Sequence, residues 1–264
     1  MNNLPLITVV TVVYNSVKEI EGTIRSVLSQ TYSDIEYIVI DGASKDGTVD
    51  VIKKYSDKIT RWISEPDKGI YDAMNKAIEM ARGEWIIFMN AGDYFYSENS
   101  VSGIFNEAAG YTGIDVVYGD AEFRLKSFSY IIEALDAAPD RFMPFSHQAA
   151  FTRTILAKEY RFDTSYRIAA DTDFFLRLTR NGGVFKHVSV IVCSYDARQG
   201  VSVNNEVLKS KELVRMQLEN GAKPSPYFRK FVRDAYIKQY LRKFIPRILW
   251  DYLHESRLKK RYVK

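Results

Sequence analysis

The chain has 264 residues, 46% hydrophobic and 27% charged, an ordinary balance for a globular protein long enough to bury a full core. Its single cysteine, Cys193, excludes an internal disulfide framework and a Cys-rich metal site; the scattered His147, His187 and His254 form no zinc pattern; and the apolar stretch Leu4–Tyr14 is well short of the ~20 residues of a membrane span. The net charge of +4 hides an asymmetry, because residues 209–264 hold 16 Lys/Arg against 5 Asp/Glu (+11), leaving 21 against 28 (−7) in residues 1–208.

In chain order, Leu6–Val13 is a continuous β-branched run, as expected of a strand covered on both faces. Asn15 or Ser16 is placed to cap a helix whose apolar positions are Ile20, Ile24, Val27 and Leu28. Ile35–Ile40 reads as a second buried strand, Thr48–Tyr55 as a short helix and Ile59–Ser64 as a third strand. Ile70–Arg82 follows as a helix closed by Gly83 in a left-handed cap, and Trp85–Met89 is the fourth strand. This alternation predicts right-handed crossovers and a parallel sheet. Beyond Asp93 the pattern is mixed: Ser97–Ala109 helical, Asp115–Tyr118 a strand, Ala121–Ile132 a hairpin, Asp171–Arg180 a helix stopping at Gly182-Gly183, and Val184–Tyr195 a strand that buries Cys193. From about residue 205 come basic, aromatic helices interrupted by Pro224, Pro226 and Pro246. The expected organisation is an α/β domain over 1–205 and a helical extension over 206–264.

Ligands of open parallel sheets bind beyond the carboxyl ends of the strands, near the reversal in strand order. That rule selects Thr11–Asn15, Asp41–Thr48 and Asn90–Asp93, each a polar stretch after an apolar run. Neither G-x-G-x-x-G nor G-x-x-x-x-G-K-[ST] is present, which leaves a mononucleotide held by strand-end side chains. Asp41 is suited to accept a base N–H, with a turn role for Asp41-Gly42 as the alternative. Asp93 is suited to a hard cation bridging a diphosphate, with a helix cap as the alternative. Lys68-Gly69 precedes a helix start, where a cation and free N–H groups meet a phosphate.

Together these residues resemble the inverting glycosyltransferases of family 2, in the branch concerned with surface polysaccharide. The resemblance is carried by Ile7–Asn15, by Ser26-Val27-Leu28-Ser29-Gln30-Thr31-Tyr32, by Ile38–Thr48 with its Asp41-Gly42-Ala43-Ser44-Lys45-Asp46-Gly47-Thr48 loop, and by Ser64–Lys76. It implies a GT-A fold: a Rossmann-like, mostly parallel mixed sheet flanked by helices. It also implies a nucleotide diphosphate sugar donor, most simply UDP-linked, and Mn or Mg as cofactor. Asp41 would contact the nucleobase, flanked by Thr11 to Tyr14, with Lys68 and Asn90 completing the nucleotide site and Asp93 holding the metal. Asn90 and Gly92 replace two carboxylates of the family's D-x-D-D, which weakens the metal set and puts a ribose contact in doubt.

In the second half, Phe145-Ser146-His147-Gln148 resembles the branch's H-Q segment near the acceptor cleft. Ile168-Ala169-Ala170-Asp171 with Phe174–Arg177 resembles the E-D-x-x-L-x-x-R region, Ala170 replacing Glu and Asp171 taking the place of the catalytic base. Asp173 is the rival carboxylate, and Gln199–Ser202 resembles a mobile loop over the donor. The acceptor implied is a glycan or lipid-linked sugar, with a cytoplasmic setting and no nucleic acid. The basic tail, where Tyr and Phe interleave with charge, suits an anionic membrane surface first, a homodimer second and packing on the core third. Two other readings stand beside this one: a catalytically inactive nucleic-acid- or membrane-binding module on the same fold, and a nucleotidyltransferase, which would want a Gly-rich basic loop where Tyr14-Asn15-Ser16 stands.

Overall fold

A computed structural model describes residues 4–105, 111–137, 143–197, 205–219, 226–242 and 244–262. The chain folds as two compact units, Met1–Glu122 with Ile131–Tyr195, and Phe123–Tyr130 with Asp196–Lys264.

The first unit is built on β1 (Ile7–Val13), α1 (Ile20–Leu28), β2 (Ile35–Asp41), α2 (Thr48–Lys53), β3 (Arg61–Ser64), α3 (Ile70–Met80) and β4 (Trp85–Phe88). All seven residues of β1 are buried, which is why its sequence is apolar without alternation. The remaining elements are β5 (Tyr94–Phe95), α4 (Ser100–Phe105), β6 (Val116–Arg124), β7 (Ser129–Ile132), a 3-10 turn at His147–Ala149, β8 (Ala150–Arg153), α5 (Thr154–Tyr160), α6 (Ala170–Arg180) and β9 (Phe185–Asp196).

The sheet order is β3-β2-β1-β4-β8-β6-β9-β5, with β7 paired to β6. Strands β3, β2, β1 and β4 run parallel, whereas β8 is antiparallel to both β4 and β6, and β5 to β9. The chain moves outward from β1 to β2 and β3, then returns to the other side of β1 for β4. The reversal in strand order therefore lies between β1 and β4, and their carboxyl ends form a crevice. The expected GT-A-type α/β architecture is present, with the four parallel strands β3, β2, β1 and β4 on one side of the sheet.

Two local expectations are corrected. Neither Asn15 nor Ser16 caps α1, whose N-cap is Glu19. Asn15 has a left-handed backbone (φ 47°) and serves the neighbouring loop instead, donating its N–H to Ser44 Oγ (2.7 Å) and accepting the Lys45 N–H (2.9 Å) on Oδ1. Gly83 is not a left-handed cap either, because α3 ends at Met80 with an extended Ala81. A Cβ on Gly83 would lie 2.5 Å from the Thr8 nitrogen, so the glycine permits close approach to β1. Cys193 is buried in β9, as expected.

The second unit contains α7 (Glu206–Glu219), α8 (Pro226–Leu241) and α9 (Arg247–Tyr262). Lys238 pairs with Glu206 at 3.4 Å, and the Lys211 ammonium lies 5.5 Å from the Tyr236 ring centre. Glu255 of α9 accepts the Lys126 N–H (2.7 Å) and the Ser127 hydroxyl (2.5 Å), and Tyr262 stacks on Tyr130 at 4.5 Å. None of the described helices is long and apolar enough to cross a membrane.

Candidate active site

Strand register builds the crevice. Val13 stands opposite Asp41 and Asp41 opposite Ser64, so the residues that follow three strands emerge side by side. The chain after β4 continues along β1, with the Met89 N–H donated to Val10 (2.8 Å) and the Ala91 N–H to Val12 (3.2 Å).

Asp41 is fully buried. Its Oδ2 accepts the Ser44 N–H (3.0 Å) and the Ser64 hydroxyl (2.6 Å), while Oδ1 is buried without a hydrogen-bond partner. A carboxylate oxygen in that condition is costly unless a ligand completes it. Beside it, Tyr14 is 65% exposed, and a Cβ on Gly42 would lie 2.4 Å from Asp67 Oδ2 and 3.3 Å from the Tyr14 ring. The glycine is what lets this turn pass between them. Asp46 accepts the Thr48 hydroxyl (2.6 Å) and the Thr48 and Val17 N–H groups; the Thr48 hydroxyl, ahead of these amides, holds the carboxyl below its ordinary value. That loop is fixed to the start of the first crossover.

Thr11 is placed differently from a nucleotide contact. Its hydroxyl is buried between the Tyr37 hydroxyl (3.0 Å) and the Met89 carbonyl (2.8 Å), so it shapes the strands. Lys68 is exposed, and two N–H groups just before this helix are taken: Lys68 donates its own to Asp72 (3.1 Å), and Gly69 to Asp67 (2.8 Å). The Lys68 ammonium stands at the start of α3.

The Asn90–Asp93 turn is clamped by Thr23 of α1, whose hydroxyl accepts the Gly92 N–H (3.0 Å) and donates to the Asp93 carbonyl (2.9 Å). Gly92 has φ +97°, a conformation that glycine adopts without strain. Asp93 does not cap a helix, because β5 intervenes before α4. Its Oδ2 accepts Gln148 Nε2 at 3.3 Å, and Asn90 Oδ1 is a second buried acceptor without a partner.

Adjacent to Gln148, His147 places Nδ1 3.0 Å from Asp171 Oδ2. Asp171 opens α6 and is buried; its Oδ1 receives its neighbour's Thr172 N–H (2.8 Å) and lies 3.2 Å from the Tyr71 hydroxyl, which also donates to the Ile168 carbonyl (2.8 Å). Asp173 is committed elsewhere: it holds Arg177 Nε at 2.7 Å while that guanidinium caps the Tyr160 and Arg161 carbonyls at the end of α5. The 3-10 turn at His147–Ala149 therefore ties Asp93 to Asp171, bringing together residues 93, 147, 148 and 171. Tyr71 escaped sequence reasoning. It lies 100 residues from Asp171, and only the packing of α3 brings them together. The loop at Gln199–Ser202 lies outside the described residues.

Among the described residues no group of three or more His, Cys, Asp or Glu is arranged to hold a metal ion. Asp93 and the Asn90 amide oxygen nevertheless offer hard oxygen donors at one turn. That set fits a Mg- or Mn-type cation completed by diphosphate oxygens and water, since such ions are commonly held by one or two protein carboxylates.

Comparison with known proteins agrees with this fold. A glycosyltransferase of PGL/p-HBAD biosynthesis from Mycobacterium bovis is 29% identical over 216 residues, covering 78% of this chain and 83% of its own. Staphylococcus aureus TarS 1-349 in complex with UDP-GlcNAc superposes with a TM-score of 0.64 at 18% identity, over 87% of this chain and 71% of that one. The Pyrobaculum calidifontis mannosyltransferase PcManGT, in complex with GDP-Man and Mn2+, superposes with the same TM-score at 17% identity, over 89% and 70%. At such identities the two structures establish the fold alone. The sequence model described as Glycosyl transferase family 2 matches residues 8–155, more than half of the chain, and the protein belongs to that family.

Proposed function

We propose that this glycosyltransferase moves a sugar, with inversion, from a UDP-linked donor to a hydroxyl of a glycan or lipid-linked acceptor in polysaccharide biosynthesis. The observation that carries the reading is the connection through one turn, in which Gln148 meets Asp93 and His147 meets Asp171. It supports a diphosphate end and a base end joined by neighbouring residues of one turn.

In this reading the domain is residues 1–205. The unpartnered Asp41 Oδ1 accepts the imide N–H of uracil, with Tyr14 alongside. Thr11 acts through the strand it holds. Lys68 offers its ammonium to the diphosphate, and Asn90 and Asp93 hold Mn or Mg, which when bound offsets charge on the departing diphosphate. Asp171 takes the proton of the acceptor hydroxyl while that oxygen bonds the anomeric carbon and the bond to the diphosphate breaks. Support for the donor class comes from the UDP-GlcNAc and GDP-Man complexes of the structural neighbours, and for the acceptor from the relative in PGL/p-HBAD biosynthesis. The extension 206–264, with Phe244 and Tyr252 each 68% exposed among Lys and Arg, serves as a peripheral anchor on an anionic membrane face rather than a dimer contact.

The test is UDP release from a panel of sugar nucleotides, with Mn2+ or with chelator, by the wild type and Asp93→Asn. Release that needs metal and Asp93 supports the reading. Equal rates in all four conditions would remove the metal role.

A further inference from the structure

We propose that His147 is a positioning residue for Asp171, held in the Nδ1–H tautomer so that it orients the carboxylate without neutralising it. The inference rests on the reading of Asp171 as the base.

Nδ1 faces a carboxylate oxygen at 3.0 Å, and a carboxylate accepts, so this ring nitrogen carries the proton. The other nitrogen, Nε2, is buried and has no hydrogen-bond partner. No acceptor stands at Nε2 to receive an N–H. One proton therefore sits on Nδ1 and a lone pair on Nε2, the tautomer that a free imidazole adopts less often. With His147 on Oδ2, and the Thr172 N–H and the Tyr71 hydroxyl at Oδ1, the carboxylate is restrained at both oxygens. A base needs that restraint, because a lone pair misdirected by about 1 Å costs on the order of 10²-fold in rate.

His187 supplies an internal contrast. It meets Asp120 Oδ1 through Nε2 at 2.9 Å, and that oxygen also accepts the Ala134 N–H (2.9 Å). The same logic gives His187 the Nε2–H tautomer. Among the described residues there are thus two His–Asp pairs of opposite tautomer.

Long-range 1H–15N correlation spectra of protein labelled at its 3 histidines read the tautomers directly, with His147→Asn and His187→Asn providing assignments. The expected result is Nδ1–H for His147, lost in Asp171→Ala, beside Nε2–H for His187. An Nε2–H or freely exchanging His147 in the wild type overturns the proposal, even if the alanine variant fails to fold. UDP release from UDP-glucose and UDP-GlcNAc gives the second readout. His147→Ala should lower kcat roughly 10²-fold with donor KM within about twofold, and His147→Asn, which keeps an N–H near the Nδ1 position, should recover most of it. An inert His147→Ala beside an inactive Asp171→Asn overturns the positioning role alone. An active Asp171→Asn overturns the base.

Discussion

Asp41→Asn changes a carboxylate into an amide of the same shape, and the structure dictates which way the amide turns. Two donors, the Ser44 N–H at 3.0 Å and the Ser64 hydroxyl at 2.6 Å, converge on the Oδ2 position and require an oxygen there. The amide nitrogen is left at the Oδ1 position, the buried acceptor without a partner. An acceptor for the uracil imide becomes a donor facing a donor. A hydrogen bond to a charged group is worth about 1.5–3 kcal/mol, so UDP should bind roughly 10–100-fold more weakly. Calorimetric titration of UDP in Mn2+ measures this, with pyrophosphate as the control that lacks a base and should be unaffected. CDP, whose N3 accepts a hydrogen bond, should gain on UDP in the variant. Unchanged UDP affinity, or equal weakening of UDP and pyrophosphate, would refute the assignment of Asp41 to the nucleobase.

Asp171→Asn should leave UDP binding within about twofold and lower turnover by roughly 10²–10⁴-fold, the usual span for a general base. Asp173→Asn should instead lower thermal stability, because it releases the Arg177 guanidinium that caps α5; a reversal of the two outcomes in paired kinetic and melting experiments would move the base by two residues. Glu36 is buried, and although burial raises its carboxyl, the Arg82 N–H, the Thr8 hydroxyl and the Arg82 guanidinium outweigh that and hold it below the ordinary carboxylate range. Its contribution is thus present above the unfolded carboxylate value of about 4.3 and lost as pH falls through the lower folded value. Glu36→Gln should be destabilised at pH 7 by about 1–3 kcal/mol, a gap that shrinks by pH 3 in urea titrations; a constant gap would contradict the linkage. Phe244→Ser with Tyr252→Ser should weaken sedimentation with anionic vesicles, whereas binding that ignores lipid charge and salt would count against an electrostatic anchor. Point substitutions are preferred to truncation at Asn205, because α9 holds Lys126 and Ser127 through Glu255.

Strands β1, β2 and β4 were legible because each is an apolar run buried along nearly its whole length, which needs no tertiary information to recognise; β3, an edge strand with exposed Arg61 and Ser64, was legible from its place in the strand–helix alternation. Strand β5 has two residues and β8 has four, and β8 is defined by antiparallel pairing to β4 and β6, distant in sequence. Helix α5, seven residues with exposed Ile155, carries too little periodicity to announce itself. Asn15 and Gly83 misled because their residue types suit caps, while their actual partners, Ser44 and Lys45 in one case and Thr8 in the other, lie far away in sequence. Asp41 could be named in advance because it ends an apolar strand and Asp93 because it closes the polar stretch after one, while the role of Asp171 came from the family resemblance. Their partners could not: Gln148 on Asp93 and Tyr71 at Asp171 are meetings of side chains 55 and 100 residues apart.

The anomeric configuration of the transferred sugar tests the central claim most directly. Proton NMR of the glycoside formed from an α-linked UDP-sugar, whose anomeric configuration is fixed in the new linkage, distinguishes single displacement from a double one. A single base at Asp171 opposite the diphosphate predicts a β-configured product. An α-configured product, or no turnover of any sugar nucleotide in Mn2+, would contradict the account.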